Sequence, residues 1–374
     1  MLTRLPLKTS SGRLFTLNYP YLDDLRRELD SFVGCNEHLN SRLFSKKIMF
    51  THELKANNTI EGINDDISVI EKTIENAKMV NDIETRNRIV NLYRGYKYIL
   101  TGEDITEENF LKLYKILSKD LLDKYSIDHM GEKYRNARVY ILNHGRMDDT
   151  MDEGVYYKDI EKYMNCYFDY INNGEVFGDD TGYFIKSQIM HFYMVCIHPF
   201  FDINGRTSRT VAMWYLLNNS KYPYIIFNRG ITFDSNYDDT IRDCKMRYEI
   251  TKFIKYMLIT TKKELEKEYV IHNLSSQVSR KWSAIDYQTL EYFVTMLGQK
   301  SVLDYAAMYN RFNDKKRNKE IFEEMLLPLI NDHVLDIVRE TKKDMFPGQK
   351  NLVLKLNEDM IKDINKEQIT RISL

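Results

Sequence analysis

Apolar residues recur at helical spacing along most of this chain. Residues 21–60 read mostly as helix, ending in Glu53-Leu54-Lys55-Ala56-Asn57-Asn58-Thr59-Ile60-Glu61-Gly62, where Gly62 is a stop. Asp65 or Asp66 then offers an N-cap, and Ile67, Ile70 and Ile74 form a stripe one helix face wide. Residues 84–101 predict another helix, ending near Gly102. Thr106 with Asn109 opens the next, with Phe110, Leu113, Leu117 and Leu121 turned inward. Helices are expected at about 156–173 and 181–197, the second with Ile185, Ile189, Phe192 and Cys196 on one face. Val211, Ala212, Tyr215 and Leu216 continue a buried helix, and 235–268 keeps the helical pattern under dense charge.

Two stretches break the period. Tyr134-Arg135-Asn136-Ala137-Arg138-Val139-Tyr140-Ile141-Leu142 is β-prone and runs into the turn signal Asn143-His144-Gly145. A short hairpin in a helical protein cannot be a core sheet, so it reads as a flap. Residues 269–283 are polar and read as a linker. The tail beyond has its own order: helices near 286–297, 302–310 and 315–330, then Val334-Leu335-Asp336-Ile337-Val338, a Pro347-Gly348 turn and Leu352-Val353-Leu354-Lys355-Leu356. Three helices followed by a two-stranded ribbon is winged-helix order. The fold class expected is therefore mostly α: a helical bundle with a β-hairpin flap, plus a winged-helix-like domain at 284–374.

Composition narrows the class without changing it. With 374 residues, 43% hydrophobic and 29% charged, the chain can bury sizeable cores. A formal net charge of −1 supplies no global field toward nucleic acid or anionic lipid. Cys35, Cys166, Cys196 and Cys244 show no CxxC spacing, so they read as buried free thiols of a reducing cytosol. Met1 to Pro20 lacks the apolar core of a signal peptide, and no apolar run reaches membrane length. The expected location is cytoplasmic with no membrane partner; delivery by a signal-less route stays open.

Candidate chemistry concentrates in His198-Pro199-Phe200-Phe201-Asp202-Ile203-Asn204-Gly205-Arg206-Thr207-Ser208-Arg209, between two apolar helices. Pro199 should stop the first helix at His198. Asn204 is a good N-cap for the second, whose first turn, Gly205 to Thr207, would offer free N–H groups and a positive dipole end to an anion. Arg206 and Arg209 are three apart and can clamp neighbouring phosphates from one face. Asp202 could hold a divalent cation on phosphate oxygens, and His198 could take a proton from a hydroxyl. Singly each residue has an ordinary structural use; the combination is what a structural loop would not need.

This run resembles the signature of the Fic (filamentation induced by cAMP) family, HxFx[DE][GA]N[GK]RxxR, matching at His198, Phe200, Asp202, Asn204, Gly205, Arg206 and Arg209. Gly131-Glu132-Lys133-Tyr134-Arg135 and the β-prone run after it look like that family's target-docking flap. The resemblance implies a protein adenylyltransferase, moving AMP from ATP to a Tyr, Thr or Ser hydroxyl of a target protein. It assigns His198 as the base, Asp202 as the Mg²⁺ ligand, and Asn204, Gly205, Arg206 and Arg209 as phosphate binders. Phe200 becomes a core anchor, and the flap strand Arg138, Val139, Tyr140 and Ile141 pairs with an extended target segment. Ile203 stands where the family has Gly or Ala. A β-branched residue resists positive φ, so a negative φ is expected there.

Asn57-Asn58-Thr59-Ile60-Glu61-Gly62 resembles the family's inhibitory helix motif, [ST]xxxE[GN], with Asn57 in place of Ser or Thr. The resemblance implies that Glu61 pairs with Arg209 and displaces the γ-phosphate; an arginine committed to a carboxylate cannot also hold that phosphate. The expected organisation is 1–100 as a helical region carrying this motif, 101–268 as catalytic core and 284–374 as tail. Lys315, Lys316, Arg317 and Lys319 put a basic patch on one tail helix, followed at once by Glu320, Glu323 and Glu324. Alternatives are a nucleotide-sensing regulator that binds DNA through the tail, or a Fic enzyme that removes AMP or transfers another phosphoryl-type group. Self-modification and a homodimer are open partner states.

Overall fold

The computed structural model describes residues 2–35, 46–141, 152–176, 179–221, 224–232, 236–278, 282–295, 298–313 and 315–361. The chain forms two compact units, and neither is one continuous stretch. The first takes Met1–Cys35 and Val80–Thr261; the second takes Asn36–Met79 and Lys262–Leu374. The stretch 1–100 is thus shared between both units.

The first unit opens with a hairpin that the sequence did not announce, β1 (Thr3–Lys8) and β2 (Leu14–Leu17). Leu5 and Leu7 on one strand, and Phe15 and Leu17 on the other, alternate into the core. Helix α1 (Asp23–Cys35) follows. The chain then enters the second unit for α2 (Lys46–Ile60) and α3 (Ile67–Glu75). Gly62 ends the turn after α2 at φ 77°, as a helix stop should, and Asp66 caps α3 by accepting from Ser68 N–H.

Back in the first unit come α4 (Ile83–Ile99) and α5 (Glu107–Ser118), the latter capped by Thr106 accepting from Asn109 N–H. After a short helix, α6 (Lys124–Asp128), strands β3 (Tyr140–Ile141) and β4 (Asp152–Glu153) pair antiparallel, so the base of the expected flap is present. Asn143, His144 and Gly145 lie outside the described residues. The centre is α7 (Ile160–Asn173), α8 (Asp180–Ile197) and α9 (Asn204–Asn219). Ile185, Ile189, Phe192 and Cys196 are buried as expected, but so is nearly all of α8, which is a core helix rather than an amphipathic one. α10 (Phe227–Thr232) and α11 (Asn236–Arg247) lead into α12 (Thr251–Ser276).

α12 corrects the expected linker at 269–283. Val270, Ile271 and Leu274 are buried in the tail core, so this polar-looking stretch carries its own apolar stripe and stays helical to Ser276. The tail continues with α13 (Ala284–Thr295), β5 (Lys300–Ser301), α14 (Val302–Phe312), α15 (Asn318–Ile321), a π-turn over Phe322–Leu326 and α16 (Leu327–Asn331). The ribbon β6 (Leu335–Phe346) and β7 (Gln349–Leu356) closes it. The sheet has three strands, not two: β5 pairs with β7, giving the order β5-β7-β6. All four cysteines are free, but Cys35 is exposed and Cys166 only half-buried, so the expectation of buried thiols holds for Cys196 and Cys244 alone. Among the described residues no helix is long and apolar enough to cross a membrane.

Candidate active site

The loop between α8 and α9 is short and tightly bonded. His198 ends α8 in the left-handed region (φ 53°, ψ 63°), its N–H still bonded to Met194 O at 3.0 Å. That conformation is unfavourable for histidine, and more so before proline. Arg135 overrides it. The Arg135 Nε donates to His198 O at 2.8 Å, one terminal nitrogen donates to Ala137 O at 2.7 Å and the other to Val155 O, while Arg135 N–H bonds Pro199 O at 3.0 Å. One buried guanidinium thus ties both arms of the flap base to the residue carrying the candidate base. Val155 N–H adds a bond to Ile197 O.

Gly154 completes this junction. A Cβ there would lie 2.8 Å from both His198 Cβ and Arg135 Nη2, so only glycine admits the approach. In the sequence Arg135 belongs to the flap run, whereas Gly154 stands outside it. A flap strand ending in glycine was the available signal.

Phe200 is fully buried and stacks on Tyr114 at 3.5 Å between ring centroids, the two rings nearly parallel, with Phe110 and Tyr134 around it. It is the expected anchor. Burial, and then the Asp202 charge, push the Tyr114 hydroxyl well above its ordinary pKa, so it stays protonated beneath the loop.

Two expectations about the loop are overturned. Ile203 adopts φ 65°, ψ 13°, not a negative φ. Its side chain is buried, Ile203 N–H bonds Asp202 Oδ1 at 2.6 Å, and Ile203 O accepts from both Thr207 Oγ1 (2.6 Å) and Thr207 N–H (3.0 Å). These contacts outweigh a local cost of about 1–2 kcal/mol. Ile203, with no capping side chain, therefore takes the N-cap position expected for Asn204. The Asn204 amide instead spans the loop, accepting from Phe200 N–H at 3.0 Å and donating to Phe200 O at 2.8 Å. Asn204 holds the loop's shape from inside.

The start of α9 differs from the expected one by a residue: Thr207 N–H, expected among the free groups, bonds Ile203 O. Its ladder opens at Thr207 N–H, so by helix geometry the N–H groups of Asn204, Gly205 and Arg206 precede it. Arg206 is buried, and Arg209 is only 2% exposed. The Asp202 carboxylate, with its side chain 54% exposed, lies 3.8 Å from an Arg206 nitrogen. Among the described residues no group of three or more His, Cys, Asp or Glu is placed to hold a metal. Between His198 and Arg209 only Asp202 carries a carboxylate, the donor type that Mg²⁺ takes. Behind Arg209 lies His191, with Nε2 2.7 Å from Tyr237 OH and Nδ1 3.3 Å from Gln188 Oε1. Burial, and then the Arg209 charge, hold His191 well below its ordinary pKa.

The structure brings together His198, Asp202, Asn204, Gly205, Arg206, Arg209 and the flap base Arg138–Ile141 in one unit. Glu61 follows α2 in the other unit and is half-buried.

The sequence model of the Fic/DOC family matches residues 104–216, from just before α5 to near the end of α9. Over those residues the chain is similar to the Fic/DOC family. The chain is 26% identical over 215 residues to the protein adenylyltransferase Fic of Aedes aegypti, and 24% identical over 189 residues to that of Nematostella vectensis. Those matches span 56% and 48% of this chain but only 39% and 40% of the relatives' own lengths. The fold resembles a Fic family protein from Desulfovibrio desulfuricans G20, with a TM-score of 0.57 and 16% identity over 90% of this chain and 96% of the other. A Fic-domain signalling protein from Bacteroides thetaiotaomicron VPI-5482 aligns with a TM-score of 0.51 and 16% identity, over 65% of this chain and 95% of the other.

Proposed function

We propose that this Fic protein is a protein adenylyltransferase restrained by its own Glu61. The observation that carries the reading is the Arg135 junction. It joins the flap base, where an extended target segment would pair, to His198, the one candidate base in the loop. A target hydroxyl of Tyr, Thr or Ser is presented along Arg138–Ile141 by strand addition. His198 removes its proton as the oxygen bonds the α-phosphorus of ATP. The bond from that phosphorus to the oxygen bridging the β-phosphorus breaks, and pyrophosphate leaves. The α9 N–H groups and Arg206 orient the phosphates, and Arg209 holds the γ end. Mg²⁺ on Asp202 would neutralise phosphate charge. Glu61 competes with the γ-phosphate for Arg209. The adenylyltransferase names of the relatives support the reading.

The test is intact-mass analysis after incubation with ATP and Mg²⁺. Glu61→Gly is expected to gain AMP, on itself or on a target, faster than wild type, and His198→Ala in that background to gain none. AMP incorporation that persists without His198 would overturn the mechanism. Equal rates for wild type and Glu61→Gly would overturn the brake.

A further inference from the structure

The turn that carries Glu61 is built into the tail. Within the second unit, Glu61 N–H and Ile63 N–H both bond Asn58 O, and the buried Asn58 Nδ2 donates to Asp65 Oδ2 at 2.9 Å, closing the turn on itself. Its two flanks are then held from α14, more than two hundred residues later. On one flank, Tyr309 OH donates to Asp66 Oδ2 at 2.7 Å in a buried bond. On the other, Lys55 Nζ donates to Asp65 O at 3.0 Å and to Asn313 Oδ1 at 2.6 Å. Asn313 is itself fixed by donating to Tyr309 O at 2.9 Å. Tyr309 and Asn313 are one helical turn apart, so one end of α14 grips both sides of the Glu61 turn. The ring of Tyr287 on α13 lies 4.4 Å from that of His52 on α2.

We infer that the C-terminal tail is the seat of the brake: α14, through Tyr309 and Asn313, fixes the turn bearing Glu61 and so sets how firmly transfer is restrained. This rests on the reading of Glu61 as the inhibitory group. The physical reason is entropic. A carboxylate competes with a phosphate for an arginine only while its turn is ordered, and the turn after α2 contains a glycine whose backbone would otherwise be free. A tail that releases Asp66 and Lys55 lets Glu61 leave without any change in the Fic loop. The tail is thereby the part of the molecule through which a partner could relieve the restraint.

The experiment compares wild type, Glu61→Gly, Tyr309→Phe/Lys55→Met and the combination of all three, in the full chain. AMP incorporation is read by intact mass, and backbone hydrogen exchange is read over residues 58–66. Tyr309→Phe/Lys55→Met should raise transfer on the order of tenfold, the size of one charge-assisted bond. It should also speed exchange across the turn and add nothing to Glu61→Gly. If Glu61→Gly raises transfer while the tail variant transfers and exchanges like wild type, this inference fails. If Glu61→Gly leaves transfer unchanged, the brake reading itself fails, and the exchange arm still reports whether the tail orders the turn. Should the double variant not fold, Tyr309→Phe alone gives the same comparison, because it removes one hydroxyl and keeps the ring.

Discussion

The loop from His198 to Asn204 and the turn after α2 both need left-handed backbone, and they obtain it from different residues. The loop places histidine and isoleucine at φ 53° and 65°; the turn places Gly62 at φ 77°, where an added Cβ would meet nothing within 4 Å. The loop is strained and must be held in place by what surrounds it, chiefly Arg135, Asn204 and Thr207. The turn is unstrained and is ordered by side chains reaching it from α14. Strain sits where burial and surrounding bonds impose it, and permissive backbone sits where the turn is open.

The largest effect should come from His198→Gly. Transfer should fall by roughly 10²–10⁴-fold with the base gone, while resistance to thermal unfolding rises by about 1 kcal/mol as the backbone relaxes. A loss of both would show that the left-handed histidine is not strained.

Arg135→Met should cost about 3 kcal/mol, read from the urea midpoint, because three carbonyls at the flap junction lose a charged donor. It should slow transfer as well. Gly154→Ala tests the same junction by intrusion and should cost about 1–3 kcal/mol.

The His191 contact gives the strained region a pH signature. The unfolded chain takes up a proton near pH 6.5 that the native site, held well below that value, refuses. Stability is therefore intact above about pH 6.5 and falls as pH drops below it, by up to about 1.4 kcal/mol for each unit until the native group also titrates. Unfolding midpoints of wild type and His191→Gln at pH 7.5 and 5.5 should diverge accordingly; parallel shifts would assign the acid sensitivity elsewhere.

Gly62→Ala should give the smallest change, about 1 kcal/mol from the backbone alone, with His198-dependent chemistry intact. A cost several times larger would mean that the turn is packed like the loop.

The helices were legible because their signals are local. Thr106 and Asp66 cap where a short polar side chain should, and Pro199 stops α8 where its ring must. The loop was legible as a list of residues but not as a shape. Asn204 reads equally as a cap or as a cross-loop clasp, and only the left-handed Ile203 decides between them. That conformation runs against the residue's own preference and is imposed by bonds from Thr207 and by burial, which no local pattern encodes. The helix through 269–276 was missed for a related reason: its apolar positions are spaced thinly among polar ones and become a stripe only against the tail core. The division of the chain into units was not legible at all, because the bond that ties Asp66 to Tyr309 joins residues 243 apart.

That separation bears on synthesis. A ribosome adds roughly 5–20 residues each second, so Asp66 waits on the order of 10–50 s for Tyr309 to be made. The whole segment from α8 to α9 is translated within that interval. During every round of synthesis the nascent chain carries the complete run from His198 to Arg209 before the partner of Asp66 exists, and a message truncated ahead of residue 302 would leave Asp66 without that bond for good.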